Sequence, residues 1–271
     1  MSLQPPLDYV AIGVALTVIL AYSLILWFLG RRAKALDALE LAVNTLMYIM
    51  AIFLLFAITA RVCALMGLSG LPDSRQVVEA SRVFAKVHEL AVNWITRLVQ
   101  LRLVLAVAPF TFPLSQALYS ATGWQRTIFE FTAATYLALA VYAKVLAQLM
   151  PLLLPLGSTL TCIPRLRRVG STLLAAYLSA IPIVVAAAVT SSSISNGSAL
   201  QPLNVTRVSE EVSRLGPSWN PLTVSDEAAR AAWLLADALS RSLVTVSLGA
   251  ALVSAVSLAL GGVYVHLRAP F

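Results

Sequence analysis

Residues able to do covalent chemistry are few in this sequence, and they do not assemble into a catalytic pattern. His88-Glu89 opens like the helical zinc-protease signature, but that signature needs a second histidine four residues on, and position 92 is valine. The chain has two histidines in all, and its two cysteines, Cys63 and Cys162, are far apart in sequence. Gly67-x-x-Gly70 and Gly261-Gly262 read as turn and packing glycines, not as phosphate loops. No nucleophile stands at a useful spacing from a base. These residues lead us to expect no enzymatic activity, no metal and no cofactor.

A different pattern could act on a solute in passing. Glu79, Arg82, Lys86, Glu89, Asn93, Arg97 and Gln100 recur at steps of three and four, which places them on one stripe of a helix. The other faces carry Val78, Val83, Phe84, Val87, Leu90, Trp94, Ile95 and Leu98. One reading has the stripe line an aqueous pathway, with Arg82, Lys86, Arg97 and the following Arg102 offering positive charge to an anionic substrate. The other has a helix on the membrane surface, its stripe in water and Trp94 and Phe84 in lipid. The mixed signs suit pairs at i,i+3 and i,i+4 on a solvated face. Lys144, with Gln148 one turn on, lies deep in an apolar run. A charge at mid-membrane costs at least about 2.5 kcal/mol and so marks either a function or a specific partner. Arg126 stands four residues before Glu130, the spacing of an ion pair, and Asn44 reads as a hydrogen-bonding residue between helices.

The elements that must hold these residues are membrane helices. Hydrophobic residues make up 59% of the chain and charged ones 11%, against about 25% charged in an ordinary soluble domain. The apolar residues come in long unbroken runs of the ~20 residues that cross a bilayer, not in the alternation of a membrane barrel. We therefore expect an all-α polytopic transmembrane protein, multi-pass in the cell membrane, with residues 1–271 as one transmembrane domain. The spans fall near 9–29, 41–66, 127–156, 169–189 and within 242–265, the last preceded by a polar helical extension. The first run lacks a basic segment before it and is followed by Arg31 and Arg32, so it reads as a retained span and not a signal peptide.

The region 76–120 reads as the amphipathic helix and then a hairpin interrupted by Pro109 and Pro113; alternatively it crosses twice, giving seven spans in place of five. Pro151 and Pro155 are expected to disrupt the end of the 127–156 span. Residues 191–227, rich in Ser, Asn and Pro, read as an extracellular loop. It holds two glycosylation triplets, Asn196-Gly197-Ser198 and Asn204-Val205-Thr206. The net charge is +7, and its clearest clusters are two connectors, one with Arg31, Arg32 and Lys34, the other with Arg165, Arg167 and Arg168. Basic connectors stay in the cytoplasm, so these arginines are expected as cytoplasmic anchors, with the N-terminus outside and the C-terminus inside. Cys63 and Cys162 then fall near opposite faces and read as two small buried residues. In the last span Ser247, Ala251, Ala255 and Ala259 form a small-residue ridge suited to close helix packing, against a helix of this chain or of another subunit.

One stretch resembles a known family. Leu153-Leu154-Pro155-Leu156-Gly157, Leu160 and Pro164-Arg165-x-Arg167-Arg168-x-Gly170-x-x-Leu173-Leu174-Ala175 resemble the core of the CedA family, membrane channel subunits of the crenarchaeal DNA-import (exchange of DNA) system. That family is related to the polytopic inner-membrane channel component of type IV secretion and conjugation machines. The match covers about 25 residues, and Thr161 and Cys162 stand where such proteins carry a basic residue after the turn. The resemblance implies a subunit of a DNA-translocating complex without nucleotide hydrolysis of its own. Its partners would be small two-span pilin-like proteins and a secretion-type ATPase, with DNA as the transported substrate and membrane lipids around it; oligomers are open to it. A small-molecule or ion transporter and an accessory structural subunit are the other readings, although no internal repeat of the transporter kind is present.

Overall fold

The computed structural model describes residues 9–65, 72–107, 111–162, 166–195, 203–216 and 219–262. Arg165, the triplet at 196–198 and the side chains of Cys162, Arg167 and Ala259 lie outside the described residues. The described chain is helical, with no strand. Its helices are α1 (Tyr9–Phe28), α2 (Arg32–Leu65), α3 (Ser74–Val107), α4 (Phe112–Ala121), α5 (Gly123–Cys162), α6 (Arg167–Ala175), α7 (Ile181–Ser195), α8 (Val205–Leu215) and α9 (Leu222–Gly262). A π-helical turn, Ala176–Ala180, joins α6 to α7 just before Pro182, whose missing N–H interrupts the regular ladder. Five stretches are long and apolar enough to cross a membrane: Arg32–Arg61, Ser74–Val107, Gly123–Leu160, Arg168–Ile194 and Leu222–Leu258. This is a polytopic α-helical architecture of the membrane type. The 76–100 stripe thus belongs to one of the long helices, while α1 contributes a shorter apolar run, Leu16–Phe28.

Several expected boundaries need correction. The seven-span alternative requires two crossing helices between 76 and 120. Only α3 is long enough there, because α4 has 10 residues, about 15 Å, against a ~30 Å hydrocarbon core. α3 is described to Val107, Pro109 lies outside the described residues, and Pro113 sits in the first turn of α4, where a missing N–H costs nothing. Thr111 Oγ1 donates to the Leu105 carbonyl at 2.7 Å and satisfies one of the acceptors that α3 leaves open. Pro151 and Pro155, by contrast, do not end their helix. α5 runs 40 residues through both, with the two rings on its exposed side. Among its described residues the segment 191–227 holds the end of α7, all of α8 and the start of α9.

The chain forms two compact units: Met1–Ser74, Gln148–Ile183 and Leu248–Phe271 make up one, Arg75–Ala147 and Val184–Ser247 the other. In the first unit α1 and α2 form a hairpin. Gly30, at φ 76°, closes α1 with the Schellman pattern: Arg31 N–H bonds the Leu26 carbonyl and Gly30 N–H that of Trp27, each at 3.0 Å. Ser23 Oγ ties the hairpin by donating to the Ala35 carbonyl at 2.9 Å. Ile52 and Phe56 of α2, Leu154 of α5, Leu174 of α6 and Leu178 of the π turn make the core. Gly157 is buried where a Cβ would lie 2.9 Å from Leu174 Cγ, so the ends of α5 and α6 pack as a tight hairpin. Gly249 of α9 meets Ile183 in the same way.

In the second unit α3 and the first part of α5 run antiparallel, closed by α4. Ser81 Oγ donates to Ala140 O, Phe84 packs on Tyr136, His88 Nδ1 donates to Ala133 O at 2.8 Å, and Trp94 stacks on Phe129. Steps up α3 are matched by steps down α5. The amphipathic α8 buries Val208 and Val212; Asn204 caps its start by accepting from Arg207 N, and Gly216 ends it at φ 56°.

Candidate functional site

The stripe on α3 is outward along its whole length. Glu79, Arg82, Lys86, Glu89, Asn93, Arg97 and Gln100 are all exposed, while Val77, Ala80, Phe84, Val87, Ala91, Trp94, Leu98, Leu101 and Leu105 are buried against the rest of the unit. The helix presents a charged face that no other part of its unit covers. Arg97 Nη1 donates to Gln100 Oε1 at 3.5 Å, an i,i+3 contact along the stripe.

Arg102 departs from the expected set. Five residues after Arg97, it is rotated roughly 140° around the helix, off the stripe. It is half-buried, with its guanidinium 4.1 Å above the centre of the Tyr119 ring on α4. His88 is a packing residue: its Nδ1 carries the proton it gives to Ala133 O. Among the described residues no three His, Cys, Asp or Glu side chains converge to hold a metal.

The other singled-out residues are dispersed. Lys144 is exposed near the middle of α5. Arg126 and Glu130 form the expected pair at 2.7 Å. Asn44 is buried on α2, and Cys63 is buried as a free thiol. Arg31, between α1 and α2, and Arg32 and Arg168, in the first turns of α2 and α6, are exposed, with Arg32 over the Trp27 ring at 5.7 Å. Among its described side chains the small-residue ridge does not pack within the chain. Ser247, Ala251 and Ala255 are exposed, and the close approach on α9 is made from the opposite side of the helix by Gly249, with Ser257 Oγ 3.1 Å from Thr172 Oγ1.

Sequence reading missed the polar interior of the second unit. Tyr136 of α5, Ser191 of α7 and Ser242 of α9 bring three buried hydroxyls together at 3.1, 3.1 and 2.9 Å. Ser191 also donates to the Ala187 carbonyl at 2.8 Å. Three protons therefore serve four short contacts, and one hydroxyl must share its proton. One turn before Tyr136, Thr132 Oγ1 is buried without a partner, as are Gln125 Oε1 and Trp94 Nε1. Serines within apolar helices gave no period to detect.

Every charged residue whose burial is described keeps some exposure, and the buried polar residues are Ser, Thr, Asn and Gln. The bases of the exposed stripe on α3 can attract an anion electrostatically. No protein-family model, curated protein or solved structure matches the chain.

Proposed function

We propose that the chain is a membrane channel or scaffold subunit of a multiprotein DNA-translocating apparatus, related in kind to conjugation and type IV secretion machines, and that it catalyses no reaction itself. The observation that carries this reading is the α3 stripe: an exposed strip in which Arg82, Lys86 and Arg97 outnumber Glu79 and Glu89, on a helix backed by its own core. Phosphate attraction of this kind is additive, long-ranged and independent of sequence. The hairpin of Gly157 and Leu174, within the stretch that resembles the channel-subunit family, supports the same reading. The polar core does not favour a carrier, because transporters that couple to ions gather charged groups near the bilayer midplane.

In this reading the protein sits in the cell membrane with both basic connectors in the cytoplasm. α1, α2, α5, α6 with α7, and α9 cross, and α3 lies at the outer side. Its length would let it cross, but five charges between 79 and 97 on one face would each lose their water there. The cytoplasmic partner would be a secretion-type ATPase, with small two-span proteins as neighbours in the membrane.

A photo-crosslinking amino acid at Asn93, exposed mid-stripe, tests the proposal. During DNA transfer it should form adducts with the DNA, and the same group at Val87, buried on the opposite face, should not. Adducts from neither position would count against a DNA path here.

A further inference from the structure

The end of the second unit holds a groove of about 370 Å³ between the last turns of α3, the whole of α4 and the start of α5. Leu98, Leu103, Ala106 and Phe112 give it apolar walls, and Arg102 lies within it. That volume is near the low end for small-molecule sites, enough for one hydrocarbon chain or one headgroup. Arg126 also reaches the groove, but Glu130 neutralises it. Arg102 enters no ion pair among the described residues; Tyr119 holds its guanidinium from one face and leaves its edge donors for another group. Ser115, Gln116 and Thr122 also line the groove, so an anion held by the half-buried Arg102 would meet further donors there.

The surroundings identify the kind of anion. Leu103, Val107 and Phe112 are 62, 85 and 50% exposed, an open apolar rim around the groove. Trp124 and Trp233, exposed and packed edge to face with centroids 6.2 Å apart, stand at the same end of the unit, as indoles do at headgroup level. We infer that this groove binds the headgroup of an anionic membrane lipid, its phosphate on Arg102 and its chains leaving over the exposed apolar rim. The site is separate from the α3 stripe, and the inference does not depend on DNA being the substrate.

The test uses the full chain, purified in a neutral detergent and offered equal amounts of phosphatidylglycerol and phosphatidylcholine of the same chain length, with native mass spectrometry as readout. The parent should retain phosphatidylglycerol preferentially, and Arg102→Gln should lower that retention roughly tenfold. Arg102→Lys should fall between them, since an ammonium lacks the planar edge. Ala106→Phe, which fills the groove and leaves the charge, should also lower retention, and it decides the matter alone should Arg102→Gln fail to fold. Inorganic phosphate at the same concentration should not displace the lipid. Unchanged retention in Ala106→Phe, or in a folded Arg102→Gln, overturns the proposal, as does displacement by phosphate alone, which would make this a site for a free anion.

Discussion

Gly157 of α5 and Leu174 of α6 touch so closely that a Cβ on the glycine would stand 2.9 Å from Leu174 Cγ and 3.2 Å from the Leu174 backbone nitrogen. Because a backbone atom is among the close neighbours, turning the leucine side chain cannot fully relieve the contact. Replacing Gly157 with Val should therefore force the helices apart and cost about 1–3 kcal/mol, read as a lower thermal midpoint in detergent. Gly123, at the start of α5, has nothing within 4 Å of its missing Cβ. Gly123→Ala should leave the midpoint unchanged or raise it. A Gly157→Val protein that melts with its parent would show that the hairpin is not packed this way.

The hydroxyls of Tyr136, Ser191 and Ser242 should behave as one unit. Tyr136→Phe leaves the 2.9 Å contact between the two serines in place, so it should cost only about 1 kcal/mol. Ser242→Ala alone should cost a similar amount. The double variant should cost less than the two together, because their shared contact can be lost only once. Strict additivity in thermal melts would contradict the cluster.

Asn204 caps α8 with its side-chain oxygen, accepting from Arg207 N at 3.2 Å. Asn204→Ala should cost about 1 kcal/mol, and Asn204→Asp should keep the cap. Amide exchange over 205–208 reports this locally: faster in the alanine variant and near the parent in the aspartate variant. Equal exchange in all three would remove the cap.

Orientation is testable from single cysteines placed in a chain whose own Cys63 and Cys162 are replaced by alanine. Positions 74, 120 and 213 should react with an impermeant thiol reagent outside intact cells, while 34 and 168 should not. Reaction at both 34 and 168 would reverse the orientation. Protection at 120 with reaction at 74 would mean that α3 crosses the bilayer.

Much of this fold was legible because its signals are local. Composition and run length specify helices, Pro113 marks the start of α4, Gly30 beside Arg31 marks the first turn, and the i,i+4 spacing of Arg126 and Glu130 gives their ion pair. What escaped depends on neighbours. Pro151 and Pro155 read as breakers, yet both rings face outward and α5 passes through them. α8 was hidden in a polar stretch although Asn204, the Val205/Val208/Val212 spacing and Gly216 form a complete helix signature. On α9 the eye goes to the four-residue ridge from Ser247, but the packing face is set by the partner helix, and there a single glycine, Gly249, suffices. The α3 stripe was readable from its period alone; that Arg102 leaves it required counting rotation around the helix. The hydroxyl cluster joins residues more than 50 positions apart and has no sequence signature.

The stripe is the centre of the functional account, and charge removal tests it most directly. Arg82, Lys86 and Arg97 would be changed together to Gln, and DNA transfer and membrane abundance measured in the same cells. If the stripe guides DNA, transfer should fall while abundance stays normal, and Glu79→Gln with Glu89→Gln should have a smaller or opposite effect. A helix held only to anionic headgroups would instead lose abundance and transfer together. Transfer unchanged in the triple variant, at normal abundance, would contradict the account.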